Sequence, residues 1–181
     1  MEKKSLWKFG TREVVYAAIG AALYAVLSYA TNFLQLPAAG NVAVRPGIVI
    51  PLFFGVAFGP IVGLITGLLG NILGDLISGY GFWIWWDIGN GLMGLIAGFA
   101  AWIAVFKDGK SILKAELYSA LGIIVGMGFA SLSEMWASGA DMNTVIFANF
   151  LPAVVTNLVN GLILVPILML AYDAVVSRSG R

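Results

Sequence analysis

The stretch FKDGKSILK at residues 106–114 places three lysines between two long apolar runs near the middle of the chain. Six further basic residues gather at the two ends of the chain, and these are Lys3, Lys4, Lys8, Arg12, Arg178 and Arg181. Membrane proteins concentrate lysine and arginine in their cytoplasmic loops. If the three basic clusters share the cytoplasmic side, the chain must cross the membrane an even number of times between each pair of clusters. Arg45 alone falls outside this pattern.

The composition is that of an integral membrane protein. Hydrophobic residues make up 60% of the chain and charged residues 10%, with a mean hydropathy of +0.94, whereas a soluble domain is about 25% charged. A net charge of +1 without a basic stripe gives no surface for nucleic acid. The chain has no cysteine and no histidine, which excludes disulfides, thiolate metal sites and Ser–His–Asp catalysis. We therefore expect no metal site and no catalytic residue.

The apolar runs predict an all-α protein with six transmembrane helices in a single domain, residues 1–181. A bilayer core ~30 Å thick requires roughly 20 helical residues. The predicted segments are 12–34, 44–58, 61–77, 83–106, 111–136 and 144–176. Six crossings place both termini in the cytoplasm and loops 35–43, 78–82 and 137–143 outside. Gly59-Pro60 predicts a turn between the second and third helices, and Pro152 and Pro166 predict a kink in the sixth.

Small residues form a stripe on the first helix. Alanines recur at four-residue spacing as Ala17, Ala21 and Ala25, and beside them as Ala18 and Ala22. Such a smooth face allows another helix to approach closely. The partner helix is either another helix of this bundle or a helix of a second protein.

Polar and aromatic residues converge near the end of the third helix and the start of the fourth. Asn71 and Asp75 are four residues apart and share a helix face. A tryptophan-rich stretch follows at residues 79–87. These aromatic side chains form either an interfacial belt or one wall of a binding site in which rings stack on a heterocycle. The candidate ligand-binding residues from this region are Asn71, Asp75, Trp83, Trp85, Trp86, Asp87 and Asn90.

Three other parts of the chain could contribute polar groups to the same site. Asn149 and Asn160 fall on one arc of the sixth helix with Thr156, and Asn157 lies beside them, which suits helix packing or ligand binding equally. Glu134 ends the fifth helix and has an interfacial position as its simplest interpretation. Arg45 either pairs with Asp75, Asp87 or Glu134, or binds a carboxylate or phosphate of a ligand.

One apparent nucleotide motif is incomplete. Asp108-Gly109-Lys110-Ser111 resembles the end of a phosphate-binding loop, but the glycine that should precede Gly109 by five residues is Ala104. The chain is therefore not expected to bind ATP by this route.

Taken together, these residues resemble the substrate-binding S component of energy-coupling factor (ECF) transporters, the vitamin-uptake branch of ATP-binding-cassette importers. The resemblance covers essentially the whole chain. It rests on the alanine stripe, on the run from Arg45-Pro46 to Gly63 followed by residues 70–76, and on the aromatic loop 79–87.

The resemblance implies a multi-pass protein of the prokaryotic cell membrane that binds a vitamin or precursor tightly from outside. Transport would require a transmembrane coupling subunit, docked on the alanine stripe, and two cytoplasmic ATPases that use ATP. This chain itself would bind no cofactor. Thiamine-like pyrimidines, riboflavin, queuosine-type bases and cobalamin are all open as substrates, while the absence of histidine argues against the nickel and cobalt branch.

Two other classes of function are compatible with a polytopic chain. A membrane enzyme could use Asp75 and Asp87 as acid and base or as magnesium ligands, although such enzymes usually place several aspartates at cytoplasmic helix ends. A channel or stand-alone secondary transporter would be indicated by two repeated halves with broken helices, and the sequence shows no such repeat. We therefore expect a binding protein and not an enzyme.

Overall fold

The computed structural model describes residues 7, 9–34, 44–102 and 106–178, and within them the fold is entirely helical. The α-helices are α1 (Thr11–Thr31), α2 (Val49–Phe58), α3 (Pro60–Ile77), α4 (Ile84–Gly98), α5 (Gly109–Ala137) and α6 (Leu151–Arg178). Short 3₁₀ segments precede α2 at Pro46–Ile48 and follow α4 at Phe99–Trp102. A π-helical segment, Thr144–Phe150, leads directly into α6.

The membrane character of the helices agrees with the prediction in part. Four helical stretches in the described residues are long and apolar enough to cross a bilayer: Thr11–Thr31, Pro60–Ile77, Gly109–Ala137 and Thr144–Arg178. Pro46–Phe58 is apolar but shorter, and α4 has 15 residues. The prediction of six helices is confirmed, while the number of crossings and the side of the termini stay predictions. Predicted loop 35–43 and residues 103–105 of the predicted fourth helix lie outside the described residues.

Five of the helices pack side by side in a row, and α2 packs against this row. In this row α3 lies between α1 and α4, α4 contacts α5, and α5 contacts α6. The short helix α2 lies against α3 and α4 and also touches α6. Short connections make the successive helices α2 and α3, α3 and α4, and α4 and α5 antiparallel neighbours.

Side-chain contacts distinguish the two ends of the bundle. Asn32 of the α1 end donates a hydrogen bond to Ser78 after α3, and Trp86 in the first turn of α4 contacts Glu134 near the end of α5. We call this end the cavity end. The opposite end, where the Lys107–Asp173 ion pair lies, is called the basic end.

Glycines allow α2 and α3 to touch α4 through their backbones. A β-carbon on Gly63 would collide with the carbonyl oxygen of Gly94, and one on Gly55 would collide with that same oxygen. The turn between α2 and α3 also depends on glycine, because Gly59 has a φ of 108°, which side chains disfavour. The predicted Gly59-Pro60 turn is therefore confirmed.

The alanine stripe of α1 is divided between the interior and the outer surface. Ala17, Ala21 and Ala25 are 2–4% exposed and face the bundle, where the Ala21 carbonyl lies against Gly70 of α3. Ala18 and Ala22 are exposed on the outer face. The first three alanines therefore pack inside this chain and are not available to a second protein in this arrangement, which corrects the docking assignment for them.

Aromatic side chains close the interior at the basic end. Tyr16 stacks on Phe58 with ring centroids 4.1 Å apart, and Tyr172 meets Phe58 at 5.8 Å and Phe106 at 5.2 Å. Phe53 also packs edge-on against Tyr172. We refer to Tyr16, Phe53, Phe58, Phe106 and Tyr172 as the aromatic cluster. It separates the interior of the bundle from the basic loops.

Candidate functional site

A cavity of about 420 Å³ lies at the cavity end, between α3, α4, α5 and the segment that starts α6. This volume is in the range of small-molecule sites. Its lining residues are Arg45, Ile48, Asn71, Asp75, Tyr80, Trp83, Trp86, Asn90, Met127, Glu134, Ser138, Ala140, Thr144, Asn149, Ala153, Thr156 and Asn157.

One side of the cavity is a hydrogen-bonded network centred on Asn71. The Nη2 atom of Arg45 lies 3.3 Å from Asp75 Oδ1, forming an ion pair, and Nη1 donates to Asn71 Oδ1 at 3.3 Å. The Asn71 amide nitrogen donates to Asp75 Oδ2 at 3.0 Å and to Asp87 Oδ1 at 2.8 Å. Of the partners considered for Arg45, the structure therefore shows Asp75. The i, i+4 spacing on α3 places Asn71 and Asp75 side by side, as predicted.

Tyr24 of α1 supports this network from behind. Its side chain is fully buried, and its hydroxyl lies 2.8 Å from Asn90 Oδ1 and 3.2 Å from Asn71 Oδ1. The Asn90 amide nitrogen donates in turn to the Trp86 carbonyl at 2.9 Å. Sequence reasoning missed Tyr24, although a tyrosine on the alanine-rich face of α1 is a signal, because a buried tyrosine hydroxyl usually finds a partner.

Aromatic rings form a second wall. Trp83 and Trp86 line the cavity together with Tyr80, which the sequence analysis did not select. The Trp83 indole nitrogen donates to the Tyr80 carbonyl at 2.9 Å, which ties the loop to the start of α4. Gly79 and Gly81 in this loop have φ of 74° and 87°, so the loop follows a path that side chains at these positions would strain.

Trp85 does not reach the cavity. Its ring packs instead against Phe129 and Trp136, with centroids 6.1 Å and 5.7 Å away. Adjacent residues of a helix point about 100° apart, so Trp85 and Trp86 cannot share one wall. Trp85, one of the candidate ligand-binding residues, is therefore not part of the cavity wall.

Glu134, a predicted site residue for which an interfacial position was the simplest interpretation, faces the cavity from α5. Trp86 Nε1 donates to Glu134 Oε1 at 2.6 Å, and the Ser138 hydroxyl donates to Oε2 at 2.7 Å. Both donors are uncharged. The carboxylate is thus oriented by neutral groups while it remains on the cavity wall.

The wall nearest α6 is polar and begins in the π-helical segment. Asn149, Thr156 and Asn157 line the cavity. Asn160 does not, because the interior one turn further along α6 is filled: Gly161 lies against Ile123 and Leu52. Asp141 begins this region by accepting the Thr144 amide at 2.9 Å, and this hydrogen bond holds the pKa of the Asp141 carboxyl below its usual range.

Asp87 is also placed behind the cavity and not on its wall. Its side chain is fully buried, with Oδ1 bonded to Asn71 and Oδ2 without a partner in the described residues. Eight predicted residues therefore line the cavity: Arg45, Asn71, Asp75, Trp83, Trp86, Asn90, Glu134 and Asn149. Whether they contact a ligand stays a prediction. Within the described residues, no group of three or more Asp or Glu side chains is arranged to hold a metal ion.

Comparison with known proteins gives a consistent family. The family model described as "ECF-type riboflavin transporter, S component" matches residues 8–174. The chain is 31% identical over 180 residues to a UPF0397 protein of Streptococcus pneumoniae (strain CGSP14), covering 96% of each chain. It is 27% identical to a UPF0397 protein of Vibrio atlanticus (strain LGP32), covering 83% of this chain and 80% of the relative.

A shorter match has higher identity. A UPF0397 protein of Photobacterium profundum is 40% identical over 88 residues, about half of each chain. Among solved structures, a crystal structure described as an S-component of an ECF transporter superimposes with a TM-score of 0.53 over 96% of this chain and 88% of the other, at 14% identity. That similarity concerns the fold.

Proposed function

The chain belongs to the ECF-type riboflavin transporter S component family, and from this membership we propose that it captures a flat heterocyclic micronutrient in the cavity described above. The family is one of transporter components and not of enzymes. Its helices, several of them apolar and long enough to span a bilayer, make the chain a multi-pass membrane protein. The proposal therefore concerns what the chain binds, from which side, and with which partners it works.

The observation that carries the proposal is the pairing of aromatic and polar walls around one cavity. Trp83, Trp86 and Tyr80 offer ring surfaces, while Asn71 and Asn149 belong to polar walls. A planar heterocycle needs both, because stacking holds its faces and hydrogen bonds select its edge. The family description names riboflavin, which is one candidate of this shape.

The distribution of charge supports an orientation. The basic end carries the described residues Arg12, Lys107, Lys110, Lys114 and Arg178, and the positive-inside rule assigns that end to the cytoplasm. The cavity then opens to the outside, with six crossings in which α2 and α4 are short. We place the protein in the prokaryotic plasma membrane on this basis.

The partners follow from family membership. We propose that a transmembrane coupling subunit docks on the outer face of α1, where Ala18 and Ala22 are exposed. Two ATPase subunits would hydrolyse ATP, and this chain would bind no cofactor itself. Small residues at such a face allow close helix contact.

The test is mass spectrometry of the small molecules released when the detergent-purified chain is denatured. We expect one heterocycle in a stoichiometric amount, because a site that works by capture must bind tightly. If no heterocycle is released, and no member of a vitamin panel raises the unfolding temperature, the proposed function is contradicted.

A further inference from the structure

The charges at the cavity end do not balance, and we infer from this that the ligand is a cation. The inference rests on the proposed function and names the class of its substrate. One basic residue, Arg45, shares this end with Asp75, Asp87, Glu134 and Asp141 among the described residues. Residues 35–43, which fall outside the description, contain no charged residue, so they supply no further counter-ion.

Arg45 already has an ion-pair partner and a hydrogen-bond acceptor within the protein. Its guanidinium forms the ion pair with Asp75 and donates to the Asn71 carbonyl. This pair is the one ion pair at the cavity end of the described chain. Asp75 therefore already offsets the charge of Arg45, so an anionic ligand would compete with Asp75 for it, whereas a cation would leave the pair intact.

Glu134 is the carboxylate best placed to meet a positive charge. Its oxygens accept from Trp86 and Ser138, and neither donor removes its negative charge. A carboxylate oxygen has more than one acceptor position, so each can receive a further hydrogen bond from a ligand in the cavity. Glu134 is half-buried, and a cationic ligand would give its negative charge a partner.

A second acidic side chain, Asp87, lies behind the cavity. Asp87 is fully buried, and its Oδ2 atom has no hydrogen-bond partner in the described part of the chain. It lies one hydrogen bond behind Asn71, which lines the cavity. The negative charge that a ligand in the cavity would meet directly is therefore that of Glu134, since Asp87 does not line the cavity.

The aromatic wall suits the same ligand. Tryptophan and tyrosine rings have a negative face that attracts cations. Trp83, Trp86 and Tyr80 line the cavity beside Glu134, so a positively charged heteroaromatic ring could stack and pair at once. Riboflavin is neutral and would leave the charge of Glu134 without a partner. The structure therefore points to a cationic heteroaromatic substrate.

The experiment compares two planar tricycles of similar size that differ in charge. Proflavine is a cation at neutral pH and lumichrome is neutral. Binding of each to the ligand-free chain in non-ionic detergent is measured by fluorescence, with riboflavin as a third probe. We expect proflavine to bind about tenfold more tightly than lumichrome.

Two variants test the origin of this preference. Glu134→Gln keeps the shape of the side chain and should reduce the preference for proflavine to less than about threefold. Ala140→Lys adds a positive charge on a cavity-lining loop residue, outside the helices, and should weaken the binding of proflavine more than that of lumichrome. Glu116→Gln, at the basic end, is the matched control and should change neither affinity.

The outcomes separate the two proposals. Tight binding of riboflavin or lumichrome without a preference for proflavine overturns the charge inference and supports the proposed function. A preference that survives both Glu134→Gln and Ala140→Lys also overturns the assignment to this cavity. Failure of all three probes to bind overturns the inference, and it counts against the proposed function only if denaturation also releases no heterocycle.

Discussion

Asn71 connects more of the cavity end than any pattern in the sequence indicates. Its carbonyl accepts from Arg45 while its amide nitrogen donates to both Asp75 and Asp87. An asparagine can do this because it has an acceptor and two donors on one short side chain. It therefore fixes three charged groups from the start of α2, from α3 and from α4 in one arrangement.

The tryptophans provide a comparison at single-residue resolution. Trp83 lines the cavity, and Trp85 packs against Phe129 and Trp136. If Trp83 stacks on the ligand, Trp83→Ala should weaken binding by ~1–3 kcal/mol, by analogy with base–aromatic stacking. Trp85→Ala is the matched control and should leave the affinity close to that of the wild type, as measured by isothermal titration calorimetry.

Equal losses in both variants would mean that tryptophan removal disturbs the loop and not a stacking contact. To separate these effects, the unfolding temperature of each variant should be recorded without ligand. A wild-type unfolding temperature for Trp83→Ala, combined with weaker binding, would identify the ring as a binding surface.

Single-residue placement could be predicted where local spacing decides it. Asn71 and Asp75 face the cavity together because they are one helical turn apart. The hydrogen bonds of Tyr24 to Asn90 and of Glu134 to Trp86 could not be predicted, since these partners are 66 and 48 residues away in sequence. Such contacts depend on which helices become neighbours.

At the scale of elements, α1 presents one buried and one exposed alanine face. Ala22→Leu enlarges the exposed face and should spare ligand binding while abolishing uptake by the complete transporter, because a coupling helix could no longer approach. Ala21→Leu is the matched variant on the buried face and should destabilise the chain by about 1–3 kcal/mol through overpacking. Uptake, ligand affinity and unfolding temperature are measured for both.

Normal uptake by Ala22→Leu would show that the coupling subunit docks elsewhere. The same loss of binding in both variants would instead show that the outer face of α1 matters for folding. The comparison is informative because the two positions are neighbours in sequence and differ in burial.

Helix boundaries could be predicted closely, but departures from α-helix could not. The predicted third segment, 61–77, begins one residue after Pro60 of α3 and ends with it at Ile77. The π-helical turn at Thr144–Phe150 changes which side chains of α6 face inward, and a wheel with a uniform angle of 100° cannot represent it. Asn160 shares a face with Thr156 but lies one turn beyond the part of α6 that lines the cavity, and this depth could not be predicted either.

At the scale of the whole molecule, the orientation in the membrane can be tested directly because the chain has no cysteine. Phe82→Cys places a thiol in the exposed loop at the cavity end, and Lys110→Cys places one at the basic end. A membrane-impermeant maleimide should label Phe82→Cys in intact cells and Lys110→Cys only after permeabilisation. The reverse pattern would contradict the positive-inside assignment.

The positions of the basic residues in the sequence predict the orientation of the bundle in the membrane, and hydropathy predicts the number of helices. Neither shows that α2 lies beneath α3 and α4, because that arrangement depends on tertiary contacts. The small residues that permit it are visible in the sequence, yet their partners are not.

The glycine contacts between α3 and α4 have a mechanical consequence. Gly63 and Gly94 meet backbone to backbone, so at this contact no flexible side chain lies between the two helices to absorb a displacement. Together with α2, they form a rigid frame that holds the Asn71 network still. Any movement that admits or releases a ligand would then have to occur in the opposite wall. The π-helical segment and the loop after α5 form that wall.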